Sequence, residues 1–380
     1  MIGFSLTDEQ KLFQEAIRDF ARREVAPIAR EYDEREEYPV QVLRRMGELG
    51  YLGVPFPEEL GGAGGDSIMA ALMSEEMGYV SAGIYLGVYV HVFLALNAIA
   101  RFGSESQLRD YLRPGIAGQK VGAWAFAEPD AGSDPGSMTT RAVRDGDDYV
   151  IDGTKMYITN GSIADFVVLT AITDPAQGMK GLSLFIVDTK TPGFAVARTL
   201  RKLGVRASDT AELSFTGCRI PADALLGAEN VGFMNAMRVL TAGRIVSAGF
   251  ALGTARAAFD QSLRHVKERR AFGQAVGDFQ GIQWQFADMA LELECARLLA
   301  WQAAWLSDQG LPHIKEASMA KLYATEMCAR ITGQAVLLHG ASGYMADSDV
   351  QRFYRDVKVM EIGEGTSHIQ RNTIARQVGL

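Results

Sequence analysis

The chain has 380 residues, of which 48% are hydrophobic and 22% are charged, a balance that excludes global disorder and a collagen-like repeat. A chain of this length is expected to form about two or three domains and to bury a large core. The formal net charge of -8 offers no broad basic surface to phosphate backbones, so nucleic acid is not expected as a partner.

Residues 1–121 are predicted to form an N-terminal helical domain. Thr7 and Gln10 have the spacing of a capping box, and apolar residues follow them at the helical period. The start of the chain has no basic stretch followed by an apolar one. No secretory leader is therefore expected, and the predicted location is cytoplasmic.

The segment 77–100 contains no Asp, Glu, Lys or Arg. It is long enough to cross a membrane. However, His91 and Asn97 interrupt it, and a helix buried inside a large protein is also apolar on all sides. We therefore predict a buried helix and no membrane association.

Residues 122–231 are predicted to form a middle antiparallel β-domain. Short runs of β-branched and aromatic residues occur here, and pairs such as Asp152-Gly153 and Asn160-Gly161 end them. The runs cover residues 149–151, 166–169, 184–187 and 212–215.

Residues 232–380 are predicted to form a C-terminal four-helix bundle. Its helical segments cover 233–270, 279–309, 315–338 and 349–377, and Gly363-Glu364-Gly365 breaks the last of them. Long helices joined by short loops are typical of an antiparallel bundle. The predicted fold class is therefore α+β, with a helical domain, a β-domain and a bundle in chain order.

Several polar motifs could carry chemistry, although each also has a structural explanation. Glu364 lies between two glycines, so its carboxylate could act as a base or could simply be solvated beside a helix stop. The turn containing Gly132 and Ser133 could present backbone N–H groups to an anion, or could be an ordinary turn. Arg269 could bind a pyrophosphate or favour a helix C-terminus.

Tyr157 and Thr159 are expected on one face of a strand, where they could contact a ligand or pack across the sheet. The chain has no HExxH or GxSxG motif, and its five histidines are scattered. The three cysteines are far apart and not in CxxC spacing, which argues against a disulfide framework. No metal site is therefore expected.

Taken in chain order, five segments resemble motifs of the acyl-CoA dehydrogenase family of flavoproteins. They are 127–134 (AEPDAGSD), 155–161 (KMYITNG), 203–210 (LGVRASDT), 269–273 (RRAFG) and 364–371 (EGTSHIQR). The resemblance covers essentially the whole chain. It implies the three-part fold predicted above, with FAD bound between the β-domain and the bundle.

The resemblance also implies a set of FAD-contacting residues. These are Phe126, Ala127, Gly132, Ser133, Tyr157, Ile158, Thr159, Arg269, Phe272, Gln280, Leu337, His339, Gly340, Ala341, Thr366 and His368. Thr159 is expected near flavin N5 and Tyr157 against the ring. Arg269, Phe272 and Gln280 are expected to reach the FAD of a neighbouring subunit, so a homo-oligomer is implied, usually a tetramer in this family.

The implied reaction is α,β-dehydrogenation of an acyl-CoA substrate to the 2-enoyl-CoA, with electrons passed to an electron-transfer flavoprotein. Glu364 is the implied base, and the implied substrate contacts are Ser133, Thr241, Arg244 and Gly365. Some relatives carry their base immediately before the matching arginine. Gly243 occupies that position here and cannot accept a proton, so the chain resembles the enzymes with the base at Glu364.

Other functions on the same scaffold remain as alternatives. They are an acyl-CoA oxidase, a flavin monooxygenase, a dehydrogenase of carrier-protein-linked acyl groups, and a thioester-binding protein without activity. Three properties distinguish these alternatives from an acyl-CoA dehydrogenase. They are the reaction of reduced flavin with oxygen, the carrier of the acyl group in the substrate, and the retention of flavin by the protein.

The chain departs from the family pattern at several positions. Ala127 replaces a usual Thr or Ser, so only a backbone contact to the flavin carries over there. Thr241 replaces a frequent Asp, and Leu337 replaces a frequent Gln. His368 replaces a residue that is commonly Glu or Gln. Gly363 replaces a bulky Tyr, which suggests room for a branched or cyclic acyl group. Candidates to line the acyl pocket are Ile84, Tyr85, Tyr89 and His91.

Overall fold

The computed structural model describes residues 5–380. Residues 1–4 lie outside the described residues. They belong to the predicted N-terminal domain and to the start of the chain, where no secretory leader is expected. The chain begins with helices, as predicted. They are α1 (Asp8–Phe20), α2 (Ala29–Arg35), α3 (Val40–Glu48), α4 (Ser67–Val80), α5 (Ala82–Tyr89), α6 (Asn97–Phe102), α7 (Glu105–Gln107) and α8 (Arg113–Ile116). At the start of α1, Thr7 and Gln10 form the predicted capping box.

The uncharged segment is buried, but it is not one helix. α4 ends at Val80, and the Ser81 hydroxyl then caps α5 by accepting a hydrogen bond from the Ile84 N–H. From Ala82 the helix runs through a π-helical stretch, Val90–Leu96, to Phe102. The whole helix from Ala82 to Phe102 is long and apolar enough to cross a membrane. However, 94% of its most apolar 18-residue segment is buried inside the protein. Its composition therefore matches that of a core helix.

The middle of the chain forms a seven-stranded sheet in the order β1-β4-β2-β3-β7-β6, with β5 paired to β4. The strands are β1 (Gly122–Ala125), β2 (Arg141–Asp145), β3 (Asp148–Thr159), β4 (Phe166–Ile172), β5 (Leu182–Asp188), β6 (Phe194–Thr199) and β7 (Thr210–Pro221). Most neighbours are antiparallel, as predicted. The pairing of β1 with β4 is parallel, and so is the single contact of β2 with β4. The middle domain is therefore mainly antiparallel, with β1 added in parallel beside β4.

Long helices follow the sheet and pack against one another. They are α9 (Gly232–Glu268), α10 (Gln280–Asp308), α11 (Ile314–His339), α12 (Asp349–Ile362) and α13 (Ser367–Gln377), with a short hairpin of β8 (Arg270–Ala271) and β9 (Gln274–Ala275) between α9 and α10. The predicted break at the Gly-Glu-Gly sequence separates α12 from α13.

Buried polar contacts tie these parts together. Asn160, directly after β3, donates from its side-chain amide to the carbonyl oxygens of Gly87 on α5 and Gly122 on β1. Asp356 on α12 accepts a hydrogen bond from the Val205 N–H at 2.5 Å. The first contact joins the end of β3 to the helical region, and the second joins the segment between β6 and β7 to the middle of α12.

Candidate active site

Glu364 lies on the loop between α12 and α13, which buried side chains hold in place. Glu364 and Gly365 both have positive φ, 57° and 95°. Lys321, fully buried on α11, donates to the Gly365 carbonyl oxygen at 2.9 Å. Gln370 on α13 donates to the carbonyl oxygens of Glu364 and Gly365 at 2.9 and 3.0 Å. The loop backbone therefore has a fixed conformation that directs the Glu364 side chain inward.

The Glu364 carboxylate is enclosed between α5 and α9. Oε1 accepts a hydrogen bond from the Tyr89 hydroxyl. Oε2 is buried and has no hydrogen-bond partner among residues 5–380. A Cβ atom added at Gly243 would overlap Oε1 and would lie 2.9 Å from the Tyr89 hydroxyl. The glycine on α9 thus makes the space that the carboxylate fills.

This enclosure changes the protonation of Glu364. Burial raises its pKa to about 7, although the Tyr89 hydrogen bond and the positive charges of Lys321 and Arg244 act in the opposite direction. A carboxylate that titrates near neutral pH, with one oxygen unpaired, is suited to accept a proton. The arrangement can therefore perform general base chemistry at neutral pH.

Aromatic rings surround Tyr89. Ring centroids of Tyr85, Phe93 and Phe250 lie 6.4, 5.8 and 6.2 Å from its own. The Tyr85 hydroxyl hydrogen-bonds to Ser74 and does not reach Glu364. Among the four residues suggested for the acyl pocket, only Tyr89 contacts the carboxylate.

His91 and Ile84, the other two of these four, are core residues. The His91 ring accepts a hydrogen bond from the Gly122 N–H and bonds to the Gly115 carbonyl oxygen. Burial lowers its pKa to about 4, so the ring is neutral at physiological pH. Ile84 is fully buried in the main core.

Arg244 and Thr241, the two predicted substrate contacts on α9, differ in whether their polar atoms already have hydrogen-bond partners. Arg244 is buried, donates to the Ser318 hydroxyl at 3.3 Å, and has no partner for Nε among residues 5–380. Thr241 is half-buried, and its hydroxyl donates to the Met237 carbonyl oxygen at 2.8 Å within the helix. Arg244 therefore retains donor capacity close to Glu364, whereas the Thr241 hydroxyl is engaged.

The predicted flavin-binding strand, β3, is irregular at the predicted residues. Its pairing with β7 shifts register between Lys155 and Ile158, and Tyr157 has φ 62°. The Tyr157 side chain is 66% exposed, Ile158 is buried and Thr159 is half-buried. A bulky residue adopts a positive φ only where its surroundings enforce it, so the fold presents the Tyr157 ring at the surface.

Sequence reasoning missed the ion pair that supports this bulge. Lys155 and Glu128 are fully buried and 2.8 Å apart, and Lys155 also donates to the Phe126 carbonyl oxygen. Met156 donates its N–H to the Ala127 carbonyl oxygen. β3 is therefore anchored to residues 126–128, which brings predicted cofactor residues from two motifs together. The sequence contains both residues within the motifs 127–134 and 155–161, but it gives no indication that Glu128 and Lys155 pair with each other.

The turn after Glu128 is more open. Gly132 and Ser133 are exposed, and a Cβ at Gly132 would meet no atom within 4 Å. At the start of α13, Thr366 accepts a hydrogen bond from the Ile369 N–H, and His368 is exposed.

The remaining predicted cofactor residues lie at the other end of α9. Arg269, Phe272, Gln280, Leu337, Gly340 and Ala341 are exposed, and His339 is half-buried and stacked on His265. At 1.5 Å per helical residue, Arg269 lies about 39 Å along the helix from Gly243. Within one chain these residues therefore lie far from Gly243 and from the Glu364 carboxylate beside it.

The exposed aromatic residues fit a cofactor such as FAD. Tyr157 and Phe272 are 66% and 96% exposed, and both have positive φ. Exposed rings held by an unfavourable backbone are expected where a ligand or a partner covers them. Within residues 5–380, no group of three His, Cys, Asp or Glu side chains could hold a metal ion.

Comparisons with known proteins agree with the architecture. Family models described as the acyl-CoA dehydrogenase N-terminal, middle and C-terminal domains match residues 7–119, 123–218 and 230–379. The short-chain specific acyl-CoA dehydrogenase of Clostridium acetobutylicum is 42% identical, over 99% of this chain and 100% of its own length.

Two solved structures are also similar. Butyryl-CoA dehydrogenase from Megasphaera elsdenii is 36% identical with a TM-score of 0.97, over 99% of this chain and 100% of its own. A chain in a structure described as the electron transferring flavoprotein of Acidaminococcus fermentans is 38% identical with a TM-score of 0.97, over the full length of both chains.

Proposed function

The chain belongs to the acyl-CoA dehydrogenase family, whose members are FAD-dependent oxidoreductases, and from this premise we propose that it converts a short-chain acyl-CoA to the 2-enoyl-CoA. The names of two similar proteins, short-chain specific and butyryl-CoA dehydrogenase, support the short acyl chain. The similarity to a chain in the electron transferring flavoprotein structure supports an electron-transfer flavoprotein as the acceptor.

Glu364 is the base in this proposal. The observation that carries it is the enclosed carboxylate with a pKa of about 7 and an unpaired Oε2. The C–H bond at the α-carbon breaks, its proton moves to the carboxylate, and hydride leaves the β-carbon. When bound, FAD supplies the acceptor for that hydride. Arg244 and the Gly365 backbone lie beside Glu364 and would orient the thioester, together with Ser133 and Thr241.

FAD would be held by two groups of residues from two subunits. Phe126, Ala127, Tyr157 and Thr159 would hold the flavin, with Gly132, Ser133, Ile158, Thr366 and His368 nearby. Arg269, Phe272, Gln280 and the loop from Leu337 to Ala341 would reach the cofactor of a neighbour. The separation of about 39 Å along α9 supports this division.

An oligomer, with a tetramer as the specific proposal, also agrees with the surface of α10. Trp284, Leu291 and Leu298 repeat at intervals of seven residues, and their exposed fractions are 62%, 65% and 37%. An apolar row of this kind is expected to be covered by another chain. Light scattering on the purified protein measures the oligomeric state, and a monomer would contradict the shared cofactor site.

An anaerobic titration of the flavin-loaded protein tests the proposed reaction. Straight, branched and cyclic acyl-CoA thioesters are added while the absorbance of oxidised flavin is followed. We expect butyryl-CoA to bleach this band, and bleaching by branched or cyclic thioesters alone would contradict the short-chain assignment. Gly363 is exposed and a Cβ there would meet only the Val359 carbonyl oxygen, so the branched and cyclic compounds belong in the panel.

Two further measurements separate the alternatives. Slow reoxidation in air, with fast reoxidation by an electron-transfer flavoprotein, is expected for a dehydrogenase. Fast reoxidation with peroxide formation would indicate an oxidase. Bleaching only by thioesters of a carrier protein would move the substrate assignment away from free acyl-CoA.

A further inference from the structure

The Tyr89 hydroxyl lies between two acceptors that belong to different elements. It hydrogen-bonds to Oε1 of Glu364 and lies 3.1 Å from the carbonyl oxygen of Gly243 on α9. A tyrosine hydroxyl has one proton, so it donates to one of these acceptors at a time. The Tyr89 ring is 4% exposed and packed among aromatic neighbours, so the hydroxyl is held in this position.

The two acceptors correspond to the two protonation states of the base. An ionised carboxylate is the stronger acceptor and attracts the Tyr89 proton. Once Oε2 has taken a proton, Oε1 becomes a weaker acceptor, and the Gly243 carbonyl offers an alternative. The hydroxyl therefore keeps a partner throughout the reaction, which avoids the cost of an unsatisfied buried polar group.

We propose that Tyr89 is a positioning residue that fixes Oε1 of Glu364 and thereby leaves Oε2 as the atom that accepts the substrate proton. The inference rests on the proposed role of Glu364 as the base. The unpaired, buried Oε2 is the observation that distinguishes the two oxygens.

Three polar groups face Glu364 from three helices. Tyr89 comes from α5, Arg244 from α9 and Lys321 from α11, and only Tyr89 donates a hydrogen bond to the carboxylate. Lys321 donates to the loop backbone, and burial lowers its pKa to about 8. Because Lys321 also titrates above neutral pH, the acidic limb of the pH profile is the one that reports on Glu364.

The test is the pH dependence of kcat/KM for Tyr89→Phe in the flavin-loaded enzyme. Removing the donor destabilises the ionised carboxylate, so the acidic limb should move up by about one pH unit. Activity should fall about tenfold at acidic pH and recover as the pH rises. Tyr79→Phe is the matched control, because the Tyr79 hydroxyl on α4 also donates to a carboxylate, but to that of Asp260 on α9 and not to Glu364. Its acidic limb should coincide with that of the wild type.

Site-specific 3-fluorotyrosine at position 89 gives an independent result if Tyr89→Phe does not fold. The ring is retained and its hydroxyl donates more strongly, so the acidic limb should move to lower pH. The proposal would be overturned if the acidic limb of the kcat/KM profile stayed at the wild-type pH in both the Tyr89→Phe and the 3-fluorotyrosine variants. It would also be overturned if Tyr89→Phe accepted a wider range of acyl groups without any shift of this limb. Failure of the base assignment is distinguishable, because Glu364→Gln would then retain turnover.

Discussion

Glu128 and Glu364 are both enclosed in the protein, yet their carboxylates have different surroundings. Glu128 accepts hydrogen bonds from Lys155, from the Thr139 N–H and hydroxyl, and from the Thr140 N–H. Although burial alone would raise its pKa, the charge and hydrogen bond of Lys155, with the Thr139 and Thr140 contacts, lower it to about 2. Glu364 accepts one hydrogen bond, and burial raises its pKa to about 7.

Burial does not by itself decide the role of a carboxylate. Two oxygens with four donors give a permanent anion that organises the chain around it. Two oxygens with one donor give a group that exchanges its proton near neutral pH. The count of donors therefore distinguishes Glu128, which anchors β3, from Glu364, which we propose to be the base.

The strongest test of this contrast is Glu364→Gln. We expect kcat to fall by roughly 10²–10⁴-fold, because glutamine fills the same space but cannot accept the proton. Flavin absorbance should remain, because the Glu364 side chain does not anchor β3. Glu361→Gln on the adjacent α12 is the control, since Glu361 pairs with Lys358 on the same helix. Near-normal turnover in Glu364→Gln would refute the base assignment.

Glu128→Gln should have the opposite profile, with a large effect on stability. The change leaves the buried Lys155 without its counter-charge, and breaking such a pair costs about 3–5 kcal/mol. Denaturant unfolding at neutral pH measures the loss. Glu36→Gln is the matched control, because its partner Arg201 is 89% exposed and such pairs contribute about 0–1 kcal/mol. Equal losses in the two variants would remove the distinction between them.

Gly243→Ala tests whether the position of the Glu364 carboxylate matters as well as its protonation. The new methyl group would overlap Oε1 of Glu364, so the carboxylate must move. We expect kcat/KM to fall by about 10²-fold with flavin retained, because a displacement of about 1 Å has this effect on a catalytic group. Gly333→Ala on α11 is the control, since its Cβ would meet Tyr354 at an ordinary 3.6 Å. Unchanged kinetics in Gly243→Ala would show that the carboxylate tolerates displacement.

The smallest expected effect concerns stability and pH. The folded pKa of Glu364 is raised, so its ionisation destabilises the fold progressively as the pH rises from about 4.5 to 7. Glu364→Gln should therefore unfold with a higher free energy than the wild type at pH 8, by on the order of 1–3 kcal/mol, and not at pH 4. The folded pKa of Glu128 is lowered, so its contribution is lost as the pH falls from about 4.5 to 2. Parallel pH curves for Glu364→Gln and wild type would contradict this.

The sequence predicts most of the scaffold and the loop that carries Glu364. Hydrophobic periods separate helices from strands, and Gly363-Glu364-Gly365 marks the loop between α12 and α13. These features are local, so they can be read from neighbouring residues. The sequence does not predict the helix break at Ser81 or the parallel pairing of β1 with β4. Both depend on where segments that are distant in the chain meet.

The surroundings of Glu364 could not be predicted for the same reason. Tyr89 and Glu364 are 275 residues apart in the chain, and Tyr89 lies in an apolar run where an aromatic residue is ordinary core. Lys155 and Lys321 are fully buried, although lysine in a strand or helix is usually a surface residue. Only the packing of the elements shows that each lysine meets a carboxylate or a carbonyl oxygen.

The close approach at Gly243 also couples two positions that are far apart in the chain. A side chain at position 243 and the Glu364 carboxylate would occupy the same volume, because a Cβ there would overlap Oε1. Any substitution that adds a side chain at position 243 therefore also displaces the Glu364 carboxylate. The effects of substitutions at these two positions are expected to be non-additive, since residues in direct contact do not act independently.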